Sequence, residues 1–256
     1  MPQGSDITVH IINVDEINEF KDFAGKTYFR NGKLLTYDPN DLQSFTLSRF
    51  TPPEHMNFQG RAIVIDPDIF ATGDISAFMN MDLEGNSIAA CRKGDAWQSS
   101  SMLLDCAKLT HWKIADTLSK LEKKELDYSD IMGLKKETHI KEIPSIWNSI
   151  DHLDSETKLL HTSNRITQPW STGLPIDFTP TPMPKLFGII PREPIHKLLG
   201  KYPTHYKKHP DNNIEEFFLK LVKDAVNAGV LTKDMLEKEI YANRMRKDIF
   251  EKLKTL

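Results

Sequence analysis

The stretch Arg61-Ala62-Ile63-Val64-Ile65-Asp66-Pro67-Asp68 decides how this chain is read. Its first five residues are mostly apolar and β-branched and lie between Gly60 and Pro67. They predict a strand buried on both faces of a sheet. The run stops at Asp66-Pro67-Asp68. With 21 Asp among 256 residues, chance alone supplies about two D-x-D triplets, so the match by itself is uninformative. Its position carries the information, because open α/β sheets place their ligand crevices at the C-terminal ends of strands. Two carboxylates there, split by a stiff residue, suit a hard cation such as Mg²⁺ or Mn²⁺. Such an ion can bridge a nucleotide diphosphate and stabilise it as a leaving group. A solvated turn capping the next segment is the other reading of the same three residues.

Working outward, Ile7-Thr8-Val9-His10-Ile11-Ile12 predicts an opening strand. Asn31-Gly32 predicts a hairpin between Tyr28-Phe29-Arg30 and Leu34-Leu35-Thr36-Tyr37. Short strands are expected at Ser87 to Cys91, Ser101 to Cys106 and Lys158 to His161. Thr110 is placed to cap a helix through Trp112, Ile114, Ala115, Leu118 and Leu121. Strands interleaved with helices imply a mixed α/β sheet flanked by helices. Composition shifts after Trp170, where residues 171–212 collect many of the 15 prolines. Ile214, Phe217, Phe218, Leu221 and Val222 then fall at helical spacing, with Asn213 as cap and Gly229 as stop. A second, polar helix is expected from Thr232 to the C-terminus. The domain reading is a catalytic domain over 1–170, a proline-rich extension over 171–212 and a helical tail over 213–256.

A composition of 39% hydrophobic and 27% charged residues fits a globular chain with a sizeable core. The net charge of −3 argues against nucleic-acid binding through bulk charge, so no nucleic-acid partner is expected. The run from Lys201 to His209, basic residues among aromatics, is the one segment that could hold a single strand. No stretch approaches the ~18 apolar residues of a membrane span. Lys247, Lys252 and Lys254 on the last helix would permit peripheral membrane contact. The opening residues have no signal-peptide pattern, and Cys91 and Cys106 have no zinc or C-x-x-C spacing. A reduced, cytoplasmic setting is therefore expected.

The words around the triplet come in a definite order. Ser48-Arg49-Phe50-Thr51-Pro52-Pro53-Glu54 precedes it, and Gly73-Asp74-Ile75 and Ser100-Ser101-Met102-Leu103-Leu104-Asp105 follow. Trp147-Asn148, then Lys158-Leu159-Leu160-His161-Thr162, and last Gln168-Pro169-Trp170 complete the set. This order resembles the glycosyltransferases of family eight and their bacterial relatives, which have the GT-A fold. The resemblance covers residues 44–170, and residues 214–254 look like the tail of the bacterial relatives.

The resemblance implies a metal-dependent enzyme that moves a hexose from a UDP-sugar to a hydroxyl of a carbohydrate or glycan acceptor, with retention of configuration. Asp66 and Asp68 look like the carboxylates that hold Mn²⁺ or Mg²⁺, and His161 like the third ligand; a core or capping histidine is the alternative for His161. Arg49 looks like the basic residue near the donor phosphates or sugar, its alternative being a surface pair with Glu54. Trp97, Gln98 and Ser100 sit where the family contacts sugars. Trp147 and Asn148 read as structural, with a sugar contact as the other reading of Asn148.

Three departures stand against the pattern. The family's Asp-Gln pair has no Gln in Asp127-Tyr128-Ser129-Asp130-Ile131-Met132, which leaves Asp130 as the carboxylate expected near the anomeric carbon. Gln168 stands where the family has a Lys facing the diphosphate, a neutral donor for a cation. Ile7 to Ile12 looks like the family's second strand, so a βα unit of roughly 35 to 40 residues would belong ahead of it. A truncated, non-catalytic relative that binds a sugar or a partner is the alternative function.

Overall fold

The computed structural model describes residues 7–41, 43–178 and 203–256 and has mixed α/β architecture. The chain divides into two compact units, Met1–Ser149 with Asp154–His161, and Ile150–Leu153 with Thr162–Leu256. Most of the expected proline-rich extension falls on residues 179–202, outside the described residues.

The first unit is built on a four-stranded sheet in the order Arg61–Ile65, Ala96–Asp105, Ile88–Lys93, Ile140–Glu142. The first three run antiparallel and the last runs parallel to Ile88–Lys93. The centre of the sheet is buried on both faces, and side-chain alternation divides it between two cores. Met102, Leu104, Ile88 and Ala90 pack with Phe50, Leu109 and Trp112 on one face. Leu103, Ala89 and Cys91 pack with Phe78, Trp147 and Leu159 on the other. Leu103 and Leu104 are both fully buried, and truncating either to Ala costs about 2–5 kcal/mol.

A third core gathers Phe20, Phe23, Tyr28 and Tyr37 under Leu118 and Leu121 of the helix Ile114–Glu122. The hairpin forms where Asn31-Gly32 predicts it. Thr27–Arg30 and Lys33–Thr36 pair, and Asn31 and Gly32 take φ of 50° and 69°, the two left-handed positions of a type I′ turn.

Several expectations are corrected. Arg61–Ile65 is not buried on both faces: it is an edge strand of an antiparallel ladder, and Ile65 is 43% exposed. An apolar run signals burial on average and does not tell a strand's place in the sheet. Residues 7–13 form no strand, and Val9 and Ile11 are exposed. β-branched residues make a strand only where a partner strand offers hydrogen bonds and packing. Thr110 does not cap the helix that begins at Ile114; the Glu54 carboxylate accepts from the Ile114 amide at 3.1 Å and caps it from a distance.

The second unit carries three helices, Asn212–Asn227, Lys233–Tyr241 and Ile249–Thr255. Asp211, not Asn213, caps the first, accepting from the Asn213 amide at 2.9 Å. Gly229 ends that helical segment at a φ of 70°, and Thr232 caps the next helix through the Met235 amide. The expected single final helix is two, interrupted at Asn243 with a φ of 54°. Between them Arg246 is 2% exposed and bonds to Glu215, Asp248 and the Pro169 carbonyl. The basic and aromatic run is used internally in its described part. Tyr206 donates to Asp177 at 2.6 Å, Lys208 pairs with Glu215, and His209 is buried 3.8 Å from Asp151. Among the described residues no helix is long and apolar enough to cross a membrane.

Candidate functional site

Asp66 follows directly on the edge strand, and its amide extends the ladder by donating to the Ser100 carbonyl at 3.1 Å. Its own carbonyl accepts from the Ile69 amide at 3.0 Å, closing a turn around Pro67 and Asp68. The turn hands the chain to a second strand, Ile69–Ala71, which pairs antiparallel with Leu159–His161. In that register Ile69 lies opposite His161. A residue 93 positions after Asp68 in the chain thereby arrives beside it, with His161 Nε2 at 3.5 Å from Asp68 Oδ1. Asp66, Asp68 and His161 each offer a ligand atom, and these atoms lie within 4.8 Å of one another.

The tautomer of His161 follows from its neighbours. The Asn148 side-chain amide donates to Ser100 Oγ at 3.0 Å, which turns Asn148 Oδ1 toward His161 Nδ1 at 2.9 Å. Nδ1 therefore carries a proton, and Nε2 is on the side of Asp68. Asn148 is 2% exposed and ends the short 3-10 turn Ser145–Asn148. That turn is seated by Trp147, whose ring stacks on Phe78 at 4.6 Å and whose carbonyl accepts from Ser101 Oγ at 2.7 Å.

Arg49 completes the cluster from the 3-10 helix Ser44–Phe50, which is anchored by buried Leu47 and Phe50. It does not pair with Glu54. Its guanidinium forks onto Asp66, with Nε 2.7 Å from Oδ1 and the second contact made to Oδ2, and it also reaches Ser99 Oγ at 3.0 Å. Burial pushes the Asp66 carboxyl up and the Arg49 charge opposes it, with the net shift upward. Each Asp66 oxygen keeps a second lone pair beyond the fork. Two carboxylates and one imidazole of fixed tautomer form a donor set that fits Mn²⁺, or Mg²⁺ with less use of the nitrogen.

Arg49 also borders a cleft of about 350 Å³, together with Arg30, Thr46, Tyr128, Ser129 and Met132. The far wall is the short helix Tyr128–Met132, whose N-cap Asp127 accepts from the amides of Asn31, Gly32 and Ser129. One side chain thus ties the hairpin turn to the helix. Thr46 Oγ1 and the Tyr128 hydroxyl share a short hydrogen bond across the cleft's base.

The other expected residues are distributed differently. Ser100 is buried and orients Asn148. Trp97 packs on the first core with Arg92 over its ring, and neither Trp97 nor Gln98 lines the cleft. Asp130 pairs with Lys135 at 2.6 Å and does not line the cleft, although Tyr128, Ser129 and Met132 beside it do. Gln168 belongs to the second unit, where its side-chain amide reaches the Thr162 carbonyl at 3.3 Å. Arg30, Tyr128 and Ser129 were not singled out by the sequence; the Asn31-Gly32 turn and the Asp127 cap are the signals that bring them together.

Comparison with known proteins adds the family. The family model described as "Glycosyl transferase family 8" matches residues 5–150. Among solved structures, the glycosyltransferase GlyE of Streptococcus pneumoniae TIGR4 is similar at 20% identity and a TM-score of 0.42, over 49% of this chain and 38% of that one. Its apo form is similar at 18% identity and a TM-score of 0.41, over 62% and 48%. The chain thus spans less than half the length of the solved structures it resembles. No curated protein matches it at a significant level.

Proposed function

The chain belongs to glycosyl transferase family 8, and from that premise we propose that it is a metal-dependent glycosyltransferase. It moves a hexose-type sugar from a UDP-sugar to an acceptor hydroxyl, with retention of configuration. The observation that carries this reading is the convergence of Asp66, Asp68 and His161, with ligand atoms within 4.8 Å of one another. These three residues would hold Mn²⁺ or Mg²⁺. Bound there, the ion supplies charge neutralisation for the departing diphosphate.

The chain's own residues do the rest by position and charge. Arg49 fixes the Asp66 carboxylate in one orientation and presents its edge to the cleft. Asn148 bonds to His161 Nδ1 and leaves Nε2 turned toward Asp68. Among the described residues lining the cleft there is no carboxylate, so none of them is suited to deprotonate an acceptor there. That supports same-face attack, in which the departing phosphate oxygen takes the acceptor's proton. In this chain Ser129, rather than Asp130, offers its hydroxyl to the sugar.

Calorimetry of UDP with and without Mn²⁺, paired with UDP release from UDP-sugars, tests the reading. Mn²⁺ should tighten UDP binding at least about tenfold, the value of one good charge-assisted contact. Asp68→Ala and His161→Ala should each remove that gain and abolish UDP release. Binding of UDP that ignores Mn²⁺ overturns the metal site. Metal-dependent binding with no release from any donor makes the chain a sugar-nucleotide-binding module instead.

A further inference from the structure

The cleft beside Arg49 carries more positive charge than the proposed transfer of a neutral hexose requires. Among the described residues its lining includes two guanidinium groups and no carboxylate. Arg49 is compensated by Asp66. Arg30 is not: among the described residues no carboxylate pairs with it. Its guanidinium carbon lies 4.7 Å over the Tyr128 ring. Asp127, which precedes Tyr128 in the chain, has its two oxygens engaged by the amides of Asn31, Gly32 and Ser129. The Asp130 carboxylate is held by Lys135.

A guanidinium stays charged at every working pH and forms its best contacts with carboxylates and phosphates. Stacking on Tyr128 holds Arg30 in one plane, which lowers the entropy lost when a ligand is bound. The Ser129 hydroxyl alongside, which accepts from the Asn31 amide, suits the uncharged part of a sugar ring. Arg49 bonds to Asp66 of the cluster and also lines this cleft, so the cleft adjoins the site where the diphosphate would be held.

We propose that Arg30 makes this cleft an anion subsite, and that one saccharide of the reaction is acidic, carrying a carboxylate or a phosphate on the donor or the acceptor side. The proposal rests on the glycosyltransferase reading above and specifies its substrate class. Its test is calorimetry at fixed ionic strength on the full chain, with Mn²⁺ present, for wild type, Arg30→Gln and Arg30→Lys. On the donor side the probes are UDP-glucuronate and UDP-galacturonate against UDP-glucose. On the acceptor side they are glucuronate and glucose 6-phosphate against glucose, with UDP saturating. Wild type should prefer an acidic probe on one of the two sides over its neutral counterpart by about 10- to 100-fold, the range of one charge-assisted contact. Arg30→Gln should erase that preference while UDP affinity stays within about twofold, and Arg30→Lys should keep part of it. The side on which the preference appears identifies the acidic partner.

A wild-type protein that prefers no acidic probe on either side overturns the proposal without any variant. So does an Arg30→Gln protein that loses UDP affinity as much as it loses the acidic probe, because Arg30 then serves the diphosphate. Failure of wild type to bind UDP at all is a different result and overturns the glycosyltransferase reading itself.

Discussion

Asn148 contributes no atom to the cation cluster, yet replacing it with Leu should weaken the cluster more than most changes at the surface of the cleft. Leu has the same branched outline and the same number of side-chain heavy atoms, so the change removes the hydrogen bonding and leaves the buried site filled. Two contacts go, the 2.9 Å contact to His161 Nδ1 and the 3.0 Å contact to Ser100 Oγ. The first fixes which imidazole nitrogen carries the proton, and losing such an outer partner costs about 10- to 100-fold in metal affinity. That is about 1.4–2.7 kcal/mol of binding free energy. Because Asn148 is 2% exposed, water does not replace the lost partners. Leaving the ring N–H unsatisfied should also lower folding stability by about 1–3 kcal/mol. Asn148→Asp is the informative control. Its carboxylate still accepts from Nδ1–H, and the Ser100 hydroxyl can rotate to donate, so Mn²⁺ affinity should be kept or increased. The assay is Mn²⁺ titration by calorimetry into protein saturated with UDP at pH 7.5, with urea unfolding of the metal-free protein in parallel. Equal Mn²⁺ affinity in wild type and Asn148→Leu would refute the reasoning. Equal losses in the Leu and Asp variants would refute it too, since the acceptor at that position would then be irrelevant.

Arg49→Met should lower stability by about 3–5 kcal/mol, because it leaves the buried Asp66 carboxylate without its counter-charge. Adding Asp66→Asn should restore more than half of that, and a urea-measured loss under about 1 kcal/mol for the single variant would sink the idea. In the second unit, burial works to raise the Glu215 carboxyl, but the bonds from Arg246 and Lys208 outweigh it and hold it below its ordinary value of 4.5. A lowered folded-state value means stability that is fully present above that ordinary value and lost as pH falls through the folded-state one. Unfolding midpoints should therefore drop on acidification below about pH 4.5, and the drop should shrink in Glu215→Gln; an unchanged acid profile in that variant contradicts the assignment. Burial pushes the Cys91 and Cys106 thiols up to about 12 and about 11. Neither should react with maleimide at pH 8 until the protein is unfolded in urea, and mass spectrometry of the folded protein showing rapid double labelling would disprove this.

How much of this was legible in the sequence depends on how local each feature is. The Asn31-Gly32 turn and the strand ending in Asp66-Pro67-Asp68 are written in adjacent residues, and both are found where expected. The strand's exposure was not legible, because an edge position is a property of the sheet and not of the run Arg61 to Ile65. Residues 7–13 repeat the lesson from the other side, since β-branched residues without a pairing partner leave Val9 and Ile11 in water. His161 could be picked out only through resemblance, for nothing local separates it from the other eight histidines. The bonding of Asn148 to Ser100 and His161 was beyond the sequence. It depends on a 3-10 turn seated by Trp147 and on a serine 48 positions away. Arg30 was hidden for a similar reason: it faces the cleft only because Asp127 pins the hairpin turn to a helix 95 positions later.

The same logic explains why the cluster needs two sheets rather than one. Asp66 closes the first sheet and Ile69 opens the second strand pair, so the turn between them is the only covalent link that Asp68 requires. His161 comes from the opposite strand, and its arrival is a matter of register, with Ile69 facing His161. A shift of one residue in that pair would turn the imidazole to the other face. The register is held by the burial of Leu159 and Leu160 on opposite sides of the strand, and by the short bond from Thr72 Oγ1 to the Thr157 carbonyl just before it. The functional geometry therefore rests on apolar residues that touch no ligand. Loosening Leu159, packed beside Phe78 and Trp147 in the core that also seats Asn148, should disturb His161 along both of its supports at once.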